Sequence, residues 1–132
     1  MRRILALLLL LTSLALATTL DYDPKIKLPA GAQFLKMSDC PVPKGFWEPL
    51  ASKGWMSECL LARGDSKVLA MALALALRQA GYSLDSHEEH GLSGSGRFIL
   101  EEWRAAERRL FVQYFLFYQS DTAVYLLSHP PR

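Results

Sequence analysis

The twenty residues from Arg63 to Tyr82, RGDSKVLAMALALALRQAGY, constrain the fold more than any other stretch because they spell one helix with both ends marked. Asp65 or Ser66 can accept from the first free N–H groups, and Gly81 stands where a left-handed residue closes a helix. Between these marks Val68, Leu69, Met71, Ala72, Leu73, Leu75, Ala76 and Leu77 leave almost no polar face, so the pattern predicts a helix buried on most sides. Its run of ten apolar residues is too short for a bilayer, which needs about 20. The stretch is expected to be a core element of a small globular domain, and it carries no side chain able to do chemistry.

The first 17 residues have a different character. Arg2 and Arg3 precede an apolar run, and Ala15-Leu16-Ala17 supplies the small-x-small ending that signal peptidase reads. Residues 1–17 are therefore expected to be a signal peptide, with Thr18 the first mature residue and the product exported to the periplasm or the extracellular space. No stable membrane span is expected after cleavage. The leader takes two of the 15 basic residues and none of the 13 acidic ones, so the rest of the chain is formally neutral. A neutral chain offers no electrostatic case for nucleic acid, whose affinity rests on neutralising phosphates.

Cys40 and Cys59 are the only cysteines, an even pair in a chain bound for an oxidising compartment, and are expected to form a disulfide. Closing a loop of about 20 residues stabilises a fold by roughly 3 kcal/mol in the chain-entropy account. The enclosed stretch needs that help. Pro41, Pro43, Gly45, Pro49 and Gly54 break regular structure, while Phe46, Trp47 and Trp55 offer apolar anchors.

Along the rest of the chain, residues 18–31 read as a polar N-terminal tail and 32–129 as one domain. Short strands are expected at 32–37 and 55–62, before the helix. After it, residues 83–85 can begin a strand that SHEEHGLSGSG interrupts as a flexible polar loop, and residues 97–103, 109–118 and 122–128 read as an antiparallel meander turning at Ser120-Asp121. For 97–109 a helix competes, since EEWRAAERR is rich in helix formers. The expected class is α+β: one buried helix packed on a four- to five-stranded, mainly antiparallel sheet.

Motifs that would carry chemistry are weak. Arg63-Gly64-Asp65-Ser66 matches an adhesion tetrapeptide, but a strand-to-helix turn demands the same letters. His87-Glu88-Glu89-His90 has metal-ligand residue types at the wrong spacing for a helical zinc motif. Asp85, His87 and His90, with His129 further off, are the conceivable ligands, and the expectation is that they hold no metal. Glu101-Glu102 is no acid–base pair in itself, because neighbours on a strand point opposite ways. No catalytic residue and no cofactor is expected.

A binding role is the reading that remains. In 109–118 one face carries Phe111, Gln113, Phe115 and Phe117, and the other Leu110, Val112, Tyr114, Leu116 and Tyr118. The phenyl face is expected under the helix. The tyrosine face, with Trp47 from the Cys-bounded loop, is then the candidate surface for a protein or other envelope partner: Tyr114, Tyr118 and Trp47. The alternative is a small hydrolase, metal-dependent or using carboxylates, with its site around Asp85 to His90.

Overall fold

Pairing between consecutive hairpins organises the chain. The computed structural model describes residues 19–28, 31–117 and 121–131. The expected leader and Tyr118 lie outside the described residues. Among those described, strands β1 (Gln33–Leu35), β2 (Met56–Arg63), β3 (Ser83–Gly91), β4 (Gly96–Ala105), β5 (Arg108–Phe117) and β6 (Thr122–His129) form one antiparallel sheet in the order β1-β2-β6-β5-β4-β3. Two α-helices accompany it, α1 (Glu48–Ala51) and α2 (Ser66–Gln79), so the class is α+β. Six strands replace the expected four to five.

The added length is in β3, where a strand was expected only to begin at 83–85 before a polar loop interrupted it. Its backbone pairs with β4 from Ser83 opposite Arg104 to Gly91 opposite Arg97. Charged side chains are tolerated because β3 is an edge strand, exposed at every residue. The competing helix in 97–109 does not form; those residues belong to β4 and β5, joined by a tight turn with Ala106 at φ 49°. Gly96 is also no flexible linker. A Cβ there would lie 2.2 Å from the Leu116 carbonyl oxygen, so the β4–β5 pair closes only over a glycine.

Helix α2 begins where expected: the Asp65 carboxylate accepts from the backbone N–H groups of Lys67 at 2.9 Å and Val68 at 3.2 Å. It ends before Gly81, which holds φ +94°. It is not buried on most sides. Leu69, Leu73 and Leu77 are buried, but Val68, Met71 and Leu75 face solvent.

The N-terminal segment departs furthest from expectation. Instead of a polar tail, Leu20, Tyr22, Ile26 and Leu28 are buried members of the larger core cluster. The segment doubles back on itself, with Thr19 bridged to Lys27 and Ile26 N–H donating to Asp23 O.

Register decides which residues share a face of the sheet. Leu35, Cys59, Leu126, Gln113, Leu100 and Glu88 are successive cross-strand partners from β1 to β3. Partners in register point to the same face. The disulfide at Cys59 therefore ties the proline-rich loop to the face of Gln113, Phe115 and Phe117. The other face holds Val112, Tyr114, Leu116, Tyr125 and Leu127, in one buried cluster with Leu69, Leu73 and Leu77 of α2 and with the N-terminal segment. The expected assignment of faces is thus reversed: the phenyl face lies under the loop, and the tyrosine face shares its core with α2.

Candidate functional site

The loop from Cys40 to Cys59 is joined at its ends by the disulfide and folds as a 3-10 turn (Lys44–Phe46) running into α1. Phe46 is its anchor. The Phe46 ring meets Phe98 and Phe115 edge to face, at 4.9 and 5.2 Å between centroids, and those two rings stack on each other at 4.7 Å. Gln113, 2% exposed, donates from Nε2 to the Phe46 carbonyl at 3.1 Å, fixing the loop backbone over the sheet. The second core cluster, which includes Val42, Cys59, Val124 and Leu126, gathers around these contacts.

Covering is incomplete. Pro41, Val42 and Pro43 of the loop and Phe115, Phe117 and Val124 of the sheet bound a cleft of about 270 Å³, its lining completed by Phe46 and Leu92. Every one of these side chains is apolar. Prolines keep the loop wall stiff, because their φ is fixed and they lose little entropy on ordering. Phe117 stays 39% exposed at the end of β5, so apolar surface is open to solvent there. An open cleft with this lining can receive an aliphatic or aromatic group, and it offers no chemistry of its own.

Two of the three expected surface residues, Trp47 and Tyr114, are not brought together, and Tyr118 lies outside the described residues. Trp47 is half-buried against the loop-side cluster, beside the cleft lining. Tyr114 is 5% exposed on the opposite face, packed near Tyr125. It belongs to core and not to a partner surface. Burial pushes its hydroxyl pKa above the ordinary value, and the Glu101 charge beside it pushes the same way.

Alternation along β3 separates the two histidines. His87 points to the tyrosine face, its Nδ1 2.6 Å from Glu101 Oε2 and its Nε2 3.1 Å from Glu89 Oε1. His90 lies on the other face, 6.2 Å from the Phe98 ring. Asp85 pairs with Arg104 at 3.1 Å, and Glu89 with Arg97. His129 stacks on Tyr22 at 3.9 Å. Among the described residues no group of three or more His, Cys, Asp or Glu side chains is placed to hold a metal ion.

Glu101 is the unusual member of this group. It is 8% exposed and accepts from Trp103 Nε1 at 3.3 Å as well as facing His87. A buried carboxylate behind a histidine is how a general base is oriented. Here, however, the outer ring nitrogen meets Glu89, where such a site needs a hydroxyl or thiol to activate. Glu102, its neighbour, points the other way to Arg109, whose Nε donates at 3.0 Å. That hydrogen bond holds the Glu102 carboxyl below its ordinary pKa. The two glutamates are therefore separate ion-pairing groups, as alternation requires.

A third polar group has no counterpart in the sequence reading. Asp23, 3% exposed, accepts from the Tyr82 hydroxyl at 2.9 Å, from Arg108 at 3.0 Å and from the Lys25 N–H at 3.1 Å. Burial pushes the Asp23 carboxyl up, but these donors together hold it below its usual range. The arrangement latches the N-terminal segment to the end of α2 and to the β4–β5 turn. The apolar spacing of Leu20, Tyr22, Ile26 and Leu28 is the sequence signal that could have revealed this segment as structured.

Comparison with protein-family models, curated proteins and solved structures finds no match to this chain.

Proposed function

We propose that this chain is an exported, non-catalytic binding module whose site is the cleft between the disulfide-tied loop and the phenyl face of the sheet. One observation carries the reading: a cleft of about 270 Å³ lined only by apolar side chains, with prolines on the loop side and aromatic rings on the sheet side. Such a lining suits an apolar side chain presented by a partner polypeptide, because removing that side chain from water is favourable and the stiff walls lose little freedom. Export is supported by the leader pattern and fits a fold braced by a disulfide.

Selection of a displayed random-peptide library on the oxidised chain tests the site. Peptides with a Leu, Phe or Pro anchor are expected to be enriched, and Leu92→Glu should remove their binding by placing a charge in the cleft lining. Enrichment of peptides indifferent to Leu92→Glu would contradict the assignment.

The hydrolase alternative around Asp85 to His90 has the buried Glu101 behind His87 in its favour. It requires turnover of generic esters or peptides that His87→Ala abolishes. Equal rates for both chains would remove it.

A further inference from the structure

Helix α2 turns a line of large apolar side chains to solvent: Val68, Met71 and Leu75 are 62%, 73% and 56% exposed. At 3.6 residues per turn these three lie within about 60° of the helix circumference, on the side away from Leu69, Leu73 and Leu77. Lys67 and Arg78, both exposed, fall within about 40° of Met71 on one flank of the line, near its two ends, with the Arg78 guanidinium resting over the Trp103 ring at 5.7 Å. The only acid between residues 63 and 82 is Asp65, and its carboxylate is committed to capping the helix. The result is an apolar stripe with a cation toward each end and no free carboxylate in its own segment.

A second copy of this chain does not suit that stripe. A two-fold axis through it sets Lys67 against Arg78 in the antiparallel arrangement, and like against like in the parallel one. Either orientation brings cations together. The exposed line is also narrow, on the order of a few hundred Å², whereas a stable dimer buries about 800 Å² per partner. A lipid bilayer asks for no matched surface, and anionic headgroups supply the missing countercharge.

We propose that the outer stripe of α2 is a membrane-surface contact selective for anionic lipid, with Val68, Met71 and Leu75 entering the acyl boundary and Lys67 and Arg78 lying among the headgroups. The stripe stands on an observation independent of the cleft. Because α2 shares its core with the tyrosine face and the cleft lies on the phenyl face, lipid contact leaves the cleft turned outward and open.

Co-sedimentation with phosphatidylcholine vesicles, with and without phosphatidylglycerol, decides the matter. Wild type and variants are produced in the same exporting bacterial host, so that all carry the same N-terminus, and the disulfide is kept intact. Wild type should pellet with phosphatidylglycerol vesicles and less so at high salt. Lys67→Gln should bind about fivefold more weakly. Met71→Glu should not pellet, with unchanged circular dichroism and Tm, and the uncharged Leu75→Gln should shift binding in the same direction. Failure of the wild type to pellet with anionic vesicles would overturn the proposal, as would pelleting that Met71→Glu and Leu75→Gln leave unchanged. A solution dimer that Met71→Glu dissociates, without lipid binding by the wild type, would identify a second copy as the occupant instead.

Discussion

Tyr114 and Phe115 are sequence neighbours, each 5% exposed, and each lies in a different core cluster. Tyr114 packs with Tyr125 on the face shared with α2, and Phe115 with Phe46 and Phe98 under the loop. Tyr114 is not free to serve as a solvent-facing contact, and Phe115 is buried apart from the edge that lines the cleft. Replacing Phe115 by Ala is expected to cost about 3 to 5 kcal/mol, and Tyr114→Ala a comparable amount, because each leaves a cavity beside close-packed rings. Urea denaturation of both variants checks this. A Tyr114→Ala chain as stable as wild type would show that the tyrosine face is not internal. The alternation that puts these residues on opposite faces was legible in the sequence. Which face shares a core with the helix was not, because that depends on the register linking Cys59 through Leu126 to Gln113, and register is a pairing between distant strands.

Among the elements, those defined by local signals were the most legible. The Asp65 cap and Gly81 located α2, and the aromatic run with its turn residues located β5 and β6. Elements defined by tertiary contact were not. Strand β3 has a polar, loop-like composition and owes its strand form to pairing with β4, while the N-terminal segment owes its order to Leu20 and Ile26 in the core and to the Asp23 latch. The cleft itself was hidden for the same reason: its lining comes from a loop, a turn and two strands that only the fold brings together. For the N-terminal segment the latch implies a pH dependence. Its folded carboxyl lies below the ordinary value of 3.8, so the unfolded chain binds the proton more readily, and the stabilisation is complete above that value and lost as pH falls through the folded one. Asp23→Asn should therefore be less stable than wild type near neutrality, by about 1 to 3 kcal/mol for a buried donor left with a poorer partner. Urea midpoints of the two chains are expected to converge as pH falls below the ordinary value. A gap that stays constant down to strong acid would show that Asp23 is not held by its donors.

For the whole molecule, the sheet separates two cores. One face joins α2 and the N-terminal segment in the larger core, and the other carries a loop whose position depends on one covalent tie and on the Phe46 and Gln113 contacts. Stability need not be uniform across such an arrangement, and the part with fewer buried contacts loosens first. The proposed binding cleft belongs to that part, since it exists only while Pro41 to Phe46 stand over Phe115 and Phe117. The most direct measurement is the affinity of a selected apolar peptide for the oxidised chain and for a Cys40→Ser, Cys59→Ser chain, recorded together with far-ultraviolet circular dichroism. The disulfide-free chain is expected to keep its helix and sheet signal while losing most of its affinity. Unchanged affinity in that chain, with the fold retained, would show that the loop does not form the binding site.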